Sequence, residues 1–338
     1  MTRWTMPAEW EPHTRTWMAW PPSGPTSADL DEAGLANVRS AWAAVARAVA
    51  HFEPVTMVVD PADIDAVRDL LPTGVDFVVA PLDDAWMRDM GPTFVHGPDG
   101  SLAAIDWVFN GWGAQEWARW GNDERIAGVV AAAADVPVVT SPMVNEGGGI
   151  HVDGKGTVLV TRTVQLDPGR NPDWTAAQVE EELSRTIGAP DVIWIERGLT
   201  RDYGTFGTRG HVDIIAAFAG PDVILVHDQR DPAHPDHAVS AEAIRTLQEC
   251  GRWRVVPVPA PTVLRDDNGW VDYSYINHYV CNGGVVLCAF DDPNDEVARQ
   301  ILSDVYPDRE VVLVDSRTIF SRGGGVHCIT QQEPAPRP

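Results

Sequence analysis

The residues best suited to chemistry lie close to the C-terminus, where Arg322-Gly-Gly-Gly-Val-His-Cys-Ile-Thr-Gln-Gln332 sets a cysteine behind three glycines. Glycines 323–325 let the backbone bend tightly or approach a ligand closely, because no Cβ intervenes. Cys328, on such a turn and beside Thr330, Gln331 and Gln332, fits a nucleophile activated by its surroundings. Cys250, Cys281 and Cys288 lack that setting and are expected to be inert thiols. A nucleophilic cysteine needs a base. His211, after Arg209-Gly210 and before Val212-Asp213, fits best, and His151 shares its His-Val-Asp signature as a rival. His327 adjoins the cysteine on what reads as an extended strand, so it is expected to point away and be structural.

Two further carboxylates stand apart from ordinary surface charge. Asp89 lies in the apolar run Trp86-Met-Arg-Asp-Met-Gly-Pro92, and Glu146 directly precedes Gly147–Gly149. Carboxylates in such places are paired or bind a ligand, since an unpaired buried charge is costly. For Asp89 a local pair with Arg88 is the plainer alternative. Taken with Asp213, a cysteine and a histidine, the set has one chemical logic. Paired carboxylates hold a planar guanidinium by bidentate hydrogen bonds, and a thiolate attacks its central carbon. His227, His234 and His237 form no ligand set of metal-binding spacing. Neither glycine run has phosphate-loop spacing.

These residues need a scaffold. Leu35, Val38, Trp42, Val45 and Val49 have helical spacing, and Val55–Val59 reads as a buried strand. Asp60-Pro61 caps a short helix. Further strands are expected at 77–80, 103–108, 136–140, 157–161, 192–195, 213–218, 222–226, 254–258, 284–290 and 310–314. Further helices are expected near 123–134, 174–187, 239–250 and 294–305. Residues 1–31, rich in Trp and Pro, read as an ordered loop on the body. Four or five units of about 60–70 residues, each two or three strands and a helix, imply one domain over residues 1–338 built from repeated α/β units. Gly147-Gly-Gly-Ile-His151, Gly210-His211 and Gly323-Gly-Gly-Val-His327 suggest equivalent turns in a pseudo-symmetric array.

The 338 residues carry 25 Lys+Arg against 49 Asp+Glu, a net charge of -24, which argues against nucleic acid and weakly favours a cationic small molecule. Four scattered cysteines make no disulfide framework. The first ten residues have no apolar core and no run is long enough to span a membrane, so a cytoplasmic protein is expected.

In order, Trp86-Met-Arg-Asp-x-Gly-Pro92, Phe109-Asn-Gly-Trp112-Gly, Glu146-Gly-Gly-Gly-Ile-His-Val-Asp-Gly154, Asn171-Pro172, Gly210-His-Val-Asp213, Tyr273-Ser-Tyr-Ile-Asn277, Asn282-Gly-Gly284 and Gly323-Gly-Gly-Val-His-Cys-Ile-Thr-Gln-Gln332 resemble the agmatine deiminase and bacterial peptidylarginine deiminase family. The resemblance runs over nearly the whole chain. It implies the pentein fold, a five-bladed pseudo-symmetric α/β propeller around a central active site. It implies Cys328 as nucleophile, His211 as general acid and base, Asp89 and Asp213 as the guanidinium clasp, and Glu146 as support. Trp86 would pack on the substrate or, equally, serve the core, and Trp112 would contact the substrate. It implies hydrolysis of agmatine to N-carbamoylputrescine and ammonia through a covalent amidino-thioether, with no metal or organic cofactor. Family members often associate, so a homo-oligomer is compatible.

Some positions depart from the family pattern. Phe206-Gly-Thr-Arg-Gly210 replaces an acidic-Thr-Asn-Gly run, Met90 a common Thr, and Ile214 the usual Asn. Trp20-Pro-Pro-Ser-Gly-Pro25 lacks the usual continuation. Arg209 lining the entrance would favour arginine or another carboxylated guanidine; a structural salt bridge is the plainer reading. Amidino transfer on the same fold is a second alternative, and a non-catalytic binding propeller a third.

Overall fold

Among the described residues, five sheets of three or four strands follow one another along the chain, beside a two-stranded ribbon of Arg265–Asp266 and Gly269–Trp270, and four of the five share one plan. Thr93–His96 pairs antiparallel with Leu102–Val108, which crosses over through the helix Ile126–Ala133 to pair parallel with Val138–Val144. The plan recurs in Ile150–Val152, Thr157–Thr161 and Asp191–Ile195, with helix Ala176–Ile187. It recurs again in Ala216–Gly220, Val223–Asp228 and Arg254–Pro259, with helix Asp236–Cys250. Its last instance is Tyr279–Cys281, Gly284–Ala289 and Glu310–Asp315, with helix Asn294–Val305. The helix is a physical requirement, because parallel neighbours cannot be joined by a tight turn. This computed structural model describes residues 4–72, 74–267 and 269–337.

The remaining sheet is assembled from both ends of the chain. His13–Ala19 pairs parallel with Val55–Val59 across the helix Glu32–Ala50, Asp76–Val79 extends it, and the C-terminal Gln331–Pro334 pairs antiparallel with His13–Ala19. The last strand thus completes the first unit and closes the series. First strands of neighbouring units touch, Gln331–Pro334 against Thr93–His96 and Ile150–Val152 against Ala216–Gly220. The helices pack outside: Glu32–Ala50 buries Val38, Trp42, Val45 and Val49 along one stripe. Among the described residues no helix is long and apolar enough to cross a membrane.

The middle strands Val55–Val59 and Thr157–Thr161 are buried throughout, which gives their continuous apolar runs a physical cause. Two expectations need correction. Residues 13–19 are a strand of the first sheet rather than a loop. The strand expected at 213–218 starts at Ala216, because Val212–Ile214 is a 3-10 turn. A short turn precedes the first strand of every unit: 87–90, 147–149, 212–214, 275–277 and 327–329. The five turns supply the site.

Candidate active site

Cys328 lies on the turn His327–Ile329, 4% exposed, with Sγ 3.5 Å from Asp213 Oδ2 and receiving the Asn277 Nδ2–H at 3.2 Å. The glycine before it is required sterically. A Cβ on Gly324 would stand 2.9 Å from both Cys328 Sγ and the Trp86 ring. Burial holds the thiol well above its ordinary pKa; Asp213 and Asp89 push the same way, and the Gly325 and Asn277 groups oppose.

His211 is placed by a loop folded around one buried carboxylate. Asp202 accepts from the backbone N–H groups of Thr208 at 2.6 Å, Gly210 at 2.7 Å and His211 at 3.1 Å. The loop carries two non-glycine residues in the left-handed region, Phe206 (φ 67°) and Arg209 (φ 69°), a strain held by the surrounding bonds. His211 Nε2 meets Glu146 Oε2 at 3.1 Å. Both Glu146 oxygens accept from Arg170 Nε at 3.0 Å, and Arg170 reaches Asp167 Oδ2 at 2.9 Å and the Thr208 carbonyl at 2.7 Å. Against burial, which raises it, Arg170 and His211 draw Glu146 down to about 2. Burial disfavours charge on His211, yet Asp89, Glu146 and Asp213 outweigh it and lift the imidazole to about 9.

Asp89 accepts the Trp112 Nε1–H at 2.8 Å and the Gly148 N–H at 3.0 Å. Trp112 reaches it from a left-handed backbone (φ 58°) and stacks on Trp117 at 5.3 Å. Burial lifts Asp89 to about 6; His211 opposes the rise, and Asp213 and Glu146 add to it. The alternative of a local Arg88 pair does not hold. Arg88 turns away, donating to Gln332 Oε1 at 2.8 Å and the His327 carbonyl at 3.3 Å. Asp213 bonds His327 Nδ1 through Oδ2 at 2.8 Å, while Oδ1 and His211 Nδ1 are buried without a hydrogen-bond partner among the described residues. His211 Nδ1 stands 3.8 Å from Asp89 Oδ1. The structure therefore gathers Cys328, His211, Asp213, Asp89 and Glu146, with free acceptor capacity at the two aspartates beside the thiol.

Trp86 packs edge-on against Trp42 at 5.5 Å and walls an outer cavity of about 190 Å³ that Asp29, Asp84, Phe206 and Arg322 also line. Arg209 does not line that cavity; its Nη1 lies 3.0 Å from both oxygens of Asp167, which also holds Arg170. His151 does not join Cys328, because its Nδ1 accepts the Phe218 N–H at 3.2 Å. Its Gly-Gly-Gly-Ile-His echo does not superimpose either: His151 sits within a strand, whereas His211 precedes a turn and His327 begins one.

Three neighbours of the site were not singled out from residue types: Asn277, Arg170 and His327. Asn277 ends the Tyr273–Asn277 motif, which is its signal, while Arg170 follows Pro168-Gly169 with no local pattern. The sequence reads His327 as pointing away from the cysteine on an extended strand. The observed 3-10 turn separates consecutive side chains by about 120° instead, so both His327 and Cys328 reach Asp213.

Among the described residues, Glu9, His151 and His327 offer ligand atoms within 4.8 Å of one another. Their hydrogen bonds do not suit a cation. His151 Nδ1 accepts a backbone N–H, which leaves the proton on Nε2, and both His327 nitrogens face carboxylates at 2.8 Å. Arg88 also stands 3.9 Å from Glu9.

The Porphyromonas-type peptidyl-arginine deiminase family matches the chain over residues 5–334. A Streptomyces coelicolor protein provisionally named an agmatine deiminase is 60% identical over 335 residues, covering 97% of this chain and 98% of that one. The agmatine deiminase of Pseudomonas aeruginosa is 38% identical over 360 residues, covering 98% and 96%. The solved agmatine deiminase of Enterococcus faecalis superimposes with a TM-score of 0.91 at 30% identity, covering 98% of this chain and 96% of that one. The five-unit α/β architecture is thus the pentein fold. With nearly its whole length matched, the chain belongs to the agmatine deiminase and bacterial peptidyl-arginine deiminase family.

Proposed function

We propose that the protein is a guanidine deiminase, a hydrolase of C–N bonds, that converts agmatine and water to N-carbamoylputrescine and ammonia. The observation that carries this is the pair Asp89 and Asp213 beside the Cys328 thiol, with Asp213 Oδ1 unpartnered. A planar cation with hydrogen-bond donors on its edges satisfies both carboxylates at once and presents its central carbon to sulfur.

The electrostatics set an order of events. Burial and, after it, two nearby carboxylates keep Cys328 a thiol, so the positive charge of an arriving guanidinium removes part of what opposes ionisation. The thiolate attacks the guanidinium carbon, and the C–N bond to one NH₂ breaks. That nitrogen departs as ammonia with the imidazolium proton of His211, the sulfur's own proton having left to solvent, so His211 is left neutral. The amidino-thioether cation remains. Water then adds to the same carbon with the neutral His211 as base; the C–S bond breaks, restoring both the thiol and the imidazolium and releasing the ureido product. Glu146, fixed by Arg170, holds His211 in place for both proton transfers.

Agmatine as the substrate is supported by its relatives' names and by the outer cavity. Asp84 and Asp29 line it, and its Arg322 is engaged by Asp29. A cationic tail suits that lining better than a carboxylate does. Closure of the first sheet by the C-terminal strand supports one catalytic domain over the whole chain. The test is ammonia release from agmatine, arginine, guanidinobutyrate and a peptidyl-arginine: release from agmatine first is expected, and preferential turnover of a carboxylated guanidine overturns the substrate reading.

A further inference from the structure

We propose that His327 is a positioning residue for guanidine binding: held between Glu9 and Asp213, it fixes the carboxylate that faces Cys328. The inference rests on the guanidine reading and adds a component to it.

His327 Nδ1 lies 2.8 Å from Asp213 Oδ2, and Nε2 lies 2.8 Å from Glu9 Oε2. Ionised carboxylates only accept, so both ring nitrogens donate and the ring is an imidazolium. All three side chains are buried, which makes such bonds strong and their loss costly. The far end is anchored in turn. Glu9 accepts the Val280 N–H at 2.8 Å and faces Arg88 Nη2 at 3.9 Å. Asp213 also faces His211, Cys328 and Asp89, which are the same in every variant below; the other titratable neighbours of His327 are His151, its ring 6.0 Å away, and His278, whose Nδ1 meets the Tyr275 carbonyl. Both are driven down by burial, His151 to about 3 and His278 to about 4, and so are neutral. The cation on the far side of Asp213 is thus His327 with Arg88 behind it. Holding Oδ2 leaves Oδ1 as the oxygen without a partner. The N-terminal segment, through Glu9, therefore sets the orientation and ionisation of a group on the substrate clasp.

Burial raises the Asp213 carboxyl, but His327 outweighs it and holds the group below its ordinary range. Without an imidazolium, Asp213 takes up its proton at higher pH and guanidine binding fails earlier on the acid side. The experiment is calorimetric titration of agmatine from pH 5 to pH 8 into Cys328→Ala, Cys328→Ala/His327→Gln and Cys328→Ala/Glu9→Gln, with melting temperatures recorded. Affinity loss in the His327→Gln form is expected to grow as pH falls, by about tenfold for each unit of upward displacement. Glu9→Gln, which keeps the ring but removes its outer carboxylate, should displace the same acid limb by less. A loss in both forms that is constant across pH, or no loss, overturns the proposal even if stability drops. Should Cys328→Ala bind no guanidine at any pH, the guanidine reading fails instead.

Discussion

His211 Nδ1 and Asp89 Oδ1 stand 3.8 Å apart beside a position that must be glycine: a Cβ on residue 148 would lie 2.5 Å from that nitrogen and 2.9 Å from that oxygen. Both atoms are buried and fixed from behind, so neither can yield cheaply. Gly148→Ala should reduce ammonia release by at least about a hundredfold, since small displacements of reacting groups carry large rate costs. Its melting temperature should stay within a few degrees of wild type. Near-normal turnover in Gly148→Ala would show that the space between Asp89 and His211 is not where substrate sits.

The site's titrations predict a bell-shaped pH profile. Asp89, lifted to about 6 by burial, must be ionised to hold a guanidinium, so kcat/KM falls as pH drops through that value. His211, held at about 9 chiefly by Asp89, must carry its proton to expel ammonia, so kcat/KM falls again as pH rises past it. A profile centred near pH 7 to 8 in the free enzyme is expected. A rate still rising above pH 10 would contradict the role given to His211.

Arg209 has a carboxylate partner within the chain, and this bears on substrate choice. With Asp167 3.0 Å away, Arg209→Ala should leave the ratio of agmatine to guanidinobutyrate turnover within about twofold of wild type. The side chain is 36% exposed, so the pair contributes at most about 1 kcal/mol to stability. Selective loss of carboxylated guanidines in steady-state kinetics would return Arg209 to the site.

Asp84 is the acidic residue of the outer cavity closest in sequence to Trp86. Asp84→Asn should raise KM for agmatine by about tenfold, the cost of one charge-assisted hydrogen bond becoming neutral. The same variant should leave n-butylguanidine, which has no ammonium, little changed. Equal effects on both compounds would assign Asp84 to folding.

Much of the scaffold was legible because its middle strands and outer helices obey simple burial periods. Val55–Val59, Thr157–Thr161 and Asn294–Val305 fall where apolar runs or helical stripes place them. Apart from Ala216–Gly220, met in part by the strand expected at 213–218, the first strands of the units were not legible. Ile150–Val152 and Tyr279–Cys281 span three residues each, and Gln331–Pro334 is polar, so none carries a periodic signal. The turns feeding those strands hold the site, whose members were found by residue type and motif rather than by pattern. His327 shows the cost of assuming regular structure: a 3-10 turn, invisible in the sequence, reverses the conclusion about which way it points. Arg170 and Glu9 act through partners 24 and 318 positions away, a separation no local reading bridges.

The central claim is that Cys328 is the nucleophile that strips ammonia from a guanidine. The most direct measurement is ammonia release from agmatine by the wild-type protein and by Cys328→Ala, with intact-protein mass spectrometry of His211→Ala quenched during turnover. Wild-type release, none from Cys328→Ala at an unchanged melting temperature, and an amidino adduct on Cys328 is the predicted result. Ammonia release that survives Cys328→Ala would contradict it.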